Sequence, residues 1–214
     1  LTISALAKFG IRIRRIDERT IYIKGSQAPK SKSIKVEGDY SNAAFLDAFN
    51  LLGGNVAVTG LKSDSMQGDR VYKDIFSELA KGKPKIDVSD CPDLAPIIMA
   101  LAAAKNGVIL TGTERLKIKE SNRGEAMKEE LSKLGCVVKI EENKITVKGG
   151  IKPAKTVILS HNDHRIVMAM AVLLSLTGGE ILGAEAINKS FPDFFKKLNA
   201  IGIETEVDSI YETN

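Results

Sequence analysis

The chain has 214 residues, 43% of them apolar, which is enough for one or two domains with a proper core. Its net charge of +4, from 31 basic against 27 acidic residues, is spread along the length without a Lys/Arg block. That distribution argues against the concentrated basic patch of a nucleic-acid binder and suits a small anionic ligand.

Residues 2–9 place Ile3, Leu6 and Phe9 at helical spacing, with Gly10 as the stop. The chain opens inside this pattern, with no basic segment or cleavage site of a signal peptide, and reads as a fragment. Residues 11–13 and 20–23 alternate like two strands joined by a polar turn at 15–19. Residues 25–33 have linker composition, so a boundary is placed there, with residues 34–214 as the main domain. Cys91 and Cys136 stand outside any CxxC or zinc spacing and read as reduced thiols of a cytoplasmic protein.

Beyond the linker the sequence repeats itself. Each of three segments offers a strand, a polar cluster, an apolar helix, a short strand ending in glycine, a polar loop and a second helix. The expected first strands are 34–36, 86–88 and 157–159, and the apolar helices are 43–52, 94–104 and 166–174. The strands at 56–58, 108–110 and 181–182 end at Gly60, Gly112 and Gly183, and the second helices are 70–79, 123–134 and 194–201. A hairpin at 137–140 and 144–147 closes the second segment, and 203–207 is expected to begin another in the third. Counting back 19 positions from the three glycines reaches Ser41, Asp93 and His164, so the polar clusters occupy equivalent places. The fold expected is α/β: a pseudo-threefold bundle of βαβαββ units, with parallel helices buried inside and sheets outside.

The third apolar helix, preceded by His161-Asn162-Asp163-His164-Arg165, carries apolar residues on every side and should be surrounded by protein. It is too short for a bilayer, which needs about 20 such residues. Three helix N-termini pointing one way make an anion site, each contributing on the order of 0.3 to 1 kcal/mol.

The loop Arg115-Leu116-Lys117-Ile118-Lys119-Glu120-Ser121-Asn122-Arg123 alternates apolar and basic residues, so an extended piece puts several cations on one side. Its plain reading is a cap for the helix that follows, with Ser121 or Asn122 as N-cap. Asp93 reads in the same way as an N-cap, and Lys189 as a surface lysine. His161 and His164 supply at most two ligands with no third nearby, so no metal site is expected. No GxSxG, P-loop or GxGxxG occurs, which argues against a serine hydrolase, ATP or a dinucleotide, and no cofactor is expected. There remain Arg123, Arg165 and Lys189 as cations and Asp93 and Glu120 as carboxylates, all at helix starts. Such cations clamp phosphate or carboxylate, and a carboxylate pair can take one proton and deliver another.

Five ordered runs resemble the 5-enolpyruvylshikimate-3-phosphate synthase family. They are Val36-Glu37-Gly38-Asp39, Ser65-Met66-Gln67-Gly68-Asp69, Lys119-Glu120-Ser121-Asn122-Arg123, Asn162-Asp163-His164-Arg165 and Lys189-Ser190-Phe191-Pro192-Asp193-Phe194-Phe195. The resemblance implies a two-lobed inside-out barrel with the active site between lobes. Residues 34–214 then look like the carboxy-terminal lobe, residues 1–33 like the tail end of the other, and the missing amino-terminal lobe is an implied partner. It further implies transfer of the enolpyruvyl group of phosphoenolpyruvate to the 5-hydroxyl of shikimate 3-phosphate. By motif, Asp93 is the base, Glu120 the acid, Lys119 a contact to shikimate 3-phosphate, and Arg123, Arg165 and Lys189 the clamp on phosphoenolpyruvate. Asn122 replaces the family's usual Asp, and Arg115 stands where some members have an Asn, so Arg115 receives no role. The expected protein is a cytoplasmic monomer with no membrane or nucleic-acid partner, and the isolated chain is expected to be inactive. The alternatives are a UDP-N-acetylglucosamine enolpyruvyl transferase and a non-enzymatic nucleic-acid-binding module of the same repeat type.

Overall fold

A computed structural model describes residues 1–153 and 156–208, which fall into two units, Leu1–Gly38 with Gly60–Gln67 and Asp39–Thr59 with Gly68–Asn214. In the first unit, α1 (Thr2–Lys8) is followed by an antiparallel hairpin of β1 (Ile13–Arg15) and β2 (Ile21–Ile23). The Asp17 carboxylate builds the hairpin turn by accepting from Arg19 N and Thr20 N, both at 2.8 Å. No residue of α1 is buried, and Ile21, Tyr22 and Ile23 are each more than half exposed. Amphipathic elements with an uncovered apolar face need a partner surface to be worth forming. The same unit joins two of the motif runs, with Ser65 Oγ donating to Glu37 at 3.0 Å and Gln67 Nε2 to Gly38 O at 2.8 Å.

The second unit contains α2 (Tyr40–Leu51), α3 (Tyr72–Lys81), β3 (Lys85–Asp87), α4 (Ala95–Ala104), β4 (Val108–Thr111), α5 (Arg123–Lys133), β5 (Val138–Glu141), β6 (Lys144–Val147), β7 (Ile158–Leu159), α6 (His164–Leu174), β8 (Ile181–Leu182) and α7 (Phe194–Ala200). Every residue of α6 is buried, as is α4 from Ala95 to Ala103. These helices pack on each other, and α2 touches both. Alanines at 100, 102, 103, 169 and 171 allow close approach, while each buried Leu, Ile or Met contributes about 1.5–3 kcal/mol. The amphipathic α3 turns Tyr72, Ile75, Phe76 and Leu79 inward, at the spacing of one helix face.

The middle repeat is complete: β3 pairs parallel with β4 across α4, and β6 joins β4 and β5 antiparallel, giving the order β3-β4-β6-β5. In the third repeat β7 and β8 pair parallel across α6. Gly112 and Gly183 end their strands at φ 69° and 78°, and a Cβ there would lie 2.0 Å from Ser89 Oγ and 2.4 Å from Ser160 Oγ. Each serine stands 23 positions before its glycine, so the repeat is visible in backbone contacts as well as in sequence. Neither position leaves room for a side chain.

The expected strands at 34–36, 56–58 and 203–207 do not form. No neighbouring strand gives them a ladder among the described residues, and Val36 is 82% exposed. The second half of a hairpin begun at 203–207 would fall after residue 208, outside the described residues. Among the described residues no helix is long and apolar enough to cross a membrane.

Candidate active site

The N-terminal ends of α2, α4 and α6 gather charged side chains, and each end is built differently. Asp39 caps α2, accepting from Ser41 N at 2.8 Å, and Asp163 caps α6, accepting from Arg165 N at 2.9 Å. Asp93 does not cap α4. It lies inside a 3-10 turn, Pro92–Leu94, ahead of that helix, and no side chain caps the turn. Its carboxylate is used elsewhere, which corrects the capping reading. Asp93 Oδ1 receives Arg123 Nη1 at 2.6 Å and Lys119 Nζ at 3.1 Å, while Oδ2 receives Arg165 Nη2 at 3.2 Å.

Arg123 is the hub, with a side chain only 1% exposed. Besides Asp93 it donates from Nε to Asp163 Oδ2 at 2.9 Å and from Nη2 to Glu120 Oε2 at 2.5 Å. Asn122 caps α5 by accepting from Glu125 N, so the loop both caps the helix and presents its charges. Burial opposes the Arg123 charge, but the bonds and charges of Asp163 and Asp93 outweigh it and hold the guanidinium above its ordinary pKa. For Asp93, burial pushes the pKa up, and Arg165, Lys119 and Arg123 pull it down further, to about 2. Asp163 is lowered by the same contest, with Arg123 as its main partner. His164 is held below the ordinary imidazole range by burial and by Arg165.

Asp93, Lys119, Glu120, Arg123 and Arg165 are therefore brought together. Lys189 is not bonded to that group; its Nζ donates to Asn162 O at 2.5 Å and Asn162 Oδ1 at 2.8 Å, one residue before Asp163. Two of Arg165's donors, Nε and Nη1, are buried without a partner, as is Nδ1 of His164. Buried donors of a guanidinium left unpaired cost on the order of 1–3 kcal/mol each, so an acceptor brought to Arg165 would relieve that cost.

Three residues of this neighbourhood have no role assigned from the sequence, although Asp69 and Asp163 lie within the quoted motif runs. Asp163, in the polar cluster and in the fourth motif run, is 0% exposed. Asp69 is held by the Ser41 hydroxyl, and its carboxyl is pushed up by burial within reach of the Asp93 and Arg165 charges. Glu130 is also 0% exposed, on the buried side of α5 with Met127 and Leu131. A glutamate on an apolar stripe was the available signal. Glu129, Glu130 and His161 place their ligand atoms within 4.8 Å of one another, the one grouping of possible metal ligands among the described residues. Lys133 Nζ lies 2.7 Å from Glu130 and supplies the cation there. Cys91 and Cys136 are free thiols, pushed up by burial to about 12 and about 11.

Residues 1–198 match the family described as EPSP synthase (3-phosphoshikimate 1-carboxyvinyltransferase). A 3-phosphoshikimate 1-carboxyvinyltransferase of Clostridium novyi is 39% identical over 221 residues, covering 94% of this chain and 51% of that protein. One from Clostridium acetobutylicum is 37% identical with the same coverage, 94% and 51%. Among solved structures, EPSP synthase from Acinetobacter baumannii superposes with a TM-score of 0.66 at 24% identity, over 95% of this chain and 54% of that one. The enolpyruvyl transferase NikO from Streptomyces tendae gives 0.56 at 13% identity, over 94% and 52%. These two structures show the fold, an enolpyruvyl transferase-like inside-out barrel. The chain spans about half the length of the curated relatives it matches.

Proposed function

The chain belongs to the EPSP synthase family, and from that membership we propose that it is one lobe of a 3-phosphoshikimate 1-carboxyvinyltransferase. The reaction moves the enolpyruvyl group of phosphoenolpyruvate to the 5-hydroxyl of shikimate 3-phosphate and releases phosphate. The observation that carries this reading is Arg165, buried beside Asp93 with Nε and Nη1 unpaired. Two multiply anionic substrates held side by side need fixed cations to offset their repulsion, and Arg123, Arg165 and Lys119 lie around one carboxylate.

In this reading Asp93 takes the proton of the 5-hydroxyl as its oxygen bonds to C2 of phosphoenolpyruvate. Glu120 delivers a proton to the methylene carbon, giving a tetrahedral intermediate. Glu120, now a carboxylate, takes back a methyl proton as phosphate leaves with the proton held on Asp93, which restores the double bond and both carboxyl groups to their starting states. Arg123 and Arg165 hold the phosphoenolpyruvate anion, with Lys189 completing the clamp, and Lys119 contacts shikimate 3-phosphate. Asp163 positions Arg123.

Residues 1–33 read as the end of an amino-terminal lobe, and the exposed apolar face of α1 and of β2 supports that assignment. A cytoplasmic monomer belongs to the same proposal. The test is phosphate release by the polypeptide joined to its amino-terminal half, with phosphoenolpyruvate and either shikimate 3-phosphate or UDP-N-acetylglucosamine. Release with the first acceptor alone is expected. No release with either acceptor from a folded protein overturns the proposal, and release with the second alone reassigns the acceptor.

A further inference from the structure

The most heavily bonded carboxylate outside the cluster around Asp93 is Glu130 on α5. Although wholly buried, it receives four hydrogen bonds: Lys133 Nζ at 2.7 and 3.0 Å, Leu159 N at 2.9 Å and His161 Nε2 at 2.7 Å. With its oxygens accepting from lysine and backbone, His161 is the donor, so its Nε2 carries the proton. Lys133 is itself tied to the chain ahead of β7 by donating to Val157 O at 3.1 Å.

These bonds fix one end of a constrained turn. Ser160 is locked by its N–H to Leu182 O at 3.0 Å, and the next two residues, His161 and Asn162, take φ 51° and 53°. Side-chain-bearing residues seldom adopt that left-handed conformation unless their surroundings hold them there. The consequence lies at the other end of the turn. Asn162 offers both its backbone O and its Oδ1 to Lys189, and Asp163 turns into α6 to cap it and to hold Arg123.

We propose that Glu130 and His161 are a positioning pair for the phosphoenolpyruvate clamp, setting Lys189 through the 160–162 turn. Neither touches the reacting atoms. The inference rests on the proposed function in that it takes Lys189 to be a clamp residue, and it adds two residues that no motif resemblance assigns. The path is short: Glu130 to His161, one residue to Asn162, then Lys189.

The test uses the polypeptide joined to its amino-terminal half. His161→Gly keeps the left-handed backbone accessible while removing the tether, and His161→Gln keeps a side-chain donor toward Glu130. Expected is a rise of roughly fivefold or more in KM for phosphoenolpyruvate with His161→Gly, with kcat and KM for shikimate 3-phosphate within about twofold, and recovery in His161→Gln. Lys189→Ala should raise the same KM in the parent but add little in the His161→Gly background, because both act through one contact. Additive effects of the two substitutions overturn the proposal. So does a lowered melting temperature with an unchanged KM for phosphoenolpyruvate. An inactive parent protein would sink the proposed function instead. Should His161→Gly not fold, Glu130→Gln carries the same comparison against Lys189→Ala.

Discussion

Asp163→Ala tests whether the cluster is held from beneath. Asp163 is 0% exposed and accepts from Arg123 Nε at 2.9 Å, Ser121 Oγ at 3.0 Å and Arg165 N at 2.9 Å. Its removal costs the α6 cap, about 1 kcal/mol by itself. The larger loss is that Arg123, 1% exposed, keeps its charge and loses its most buried partner. Breaking a buried pair from one side costs about 3–5 kcal/mol, and the two losses share a site, so about 4 kcal/mol in all is expected rather than their sum. For a lobe of this size that is a fall in melting temperature of roughly 8–16 °C. Asp163→Asn retains a good capping oxygen but not the charge, and should cost about 1–3 kcal/mol. The chain has no tryptophan, so far-ultraviolet circular dichroism during urea or thermal unfolding is the suitable assay. If both substitutions fall within about 0.5 kcal/mol of the parent, Asp163 does not anchor Arg123 and the buried-hub account is wrong.

Asp93 is depressed from 3.8 to about 2 in the folded chain, so its ion pairs stabilise the fold above the unfolded value and that contribution disappears as pH falls through about 2. Asp93→Asn should therefore flatten the acid limb of a stability-against-pH curve between about pH 4 and pH 2, by roughly 2 kcal/mol, and abolish turnover in the polypeptide joined to its amino-terminal half; an unchanged acid limb refutes the pairing. Gly112→Ala forces a Cβ to 2.0 Å from Ser89 Oγ and 2.8 Å from Ser89 N, whereas Gly60→Ala meets nothing within 4 Å. Calorimetry should find the first costing roughly 3 kcal/mol or more and the second only the left-handed strain of about 1–2 kcal/mol; equal losses would contradict the packing. Inorganic phosphate should raise the melting temperature in a concentration-dependent way, reaching about 2.7 kcal/mol at a hundredfold excess over Kd, and Arg165→Ala should remove the effect. A carbon-13 titration of the Asp93 carboxyl should show its pKa rising when phosphoenolpyruvate and shikimate 3-phosphate are both present, and no movement would refute a transfer of its cation partners to the substrate anions.

Long apolar helices were legible in the sequence because burial on every side leaves a signal inside one segment. The helices at α4 and α6 follow from that pattern, and α5 from a one-sided apolar stripe, all within two residues at each end. Strands were less legible because a ladder needs a partner from elsewhere in the chain: residues 85–87 and 108–111 find each other across a helix, while 34–36 and 56–58 do not form strands at all. Among site residues, Arg123 could be seen to belong with acids, yet its choice of Asp163 as the buried partner spans 40 positions and has no local signature. The same holds for Asp93, where composition favours a cap and three cations, Lys119 from a loop, Arg123 from α5 and Arg165 from α6, override it. Glu130 was overlooked for the opposite reason. It occupies an inward position of an otherwise apolar stripe, and a polar residue there should always prompt a search for its partners.

The cation arrangement also bears on how a base of such low pKa could act. Arg123, Arg165 and Lys119 hold Asp93 ionised at about 2, far from the value a general base needs. The same cations are those proposed to clamp the substrates, so each bond transferred from Asp93 to a phosphate or carboxylate removes part of what depresses it. Recovery to the ordinary value of 3.8 alone is about 2 kcal/mol of added basicity, and nearby substrate anions raise the carboxylate further. Basicity would then follow occupancy, with Asp93 strengthening as a base when both anions have drawn its partners away. Asp163 makes that exchange orderly, since Arg123 keeps its bonds from Nε and Nη2 to the two oxygens of the buried Asp163, at 2.9 and 3.4 Å, while Nη1 is released from Asp93 and Nη2 from Glu120. A guanidinium held along one edge by a buried carboxylate can change partners at its outer nitrogens without leaving its place, which a lysine at that position could not do.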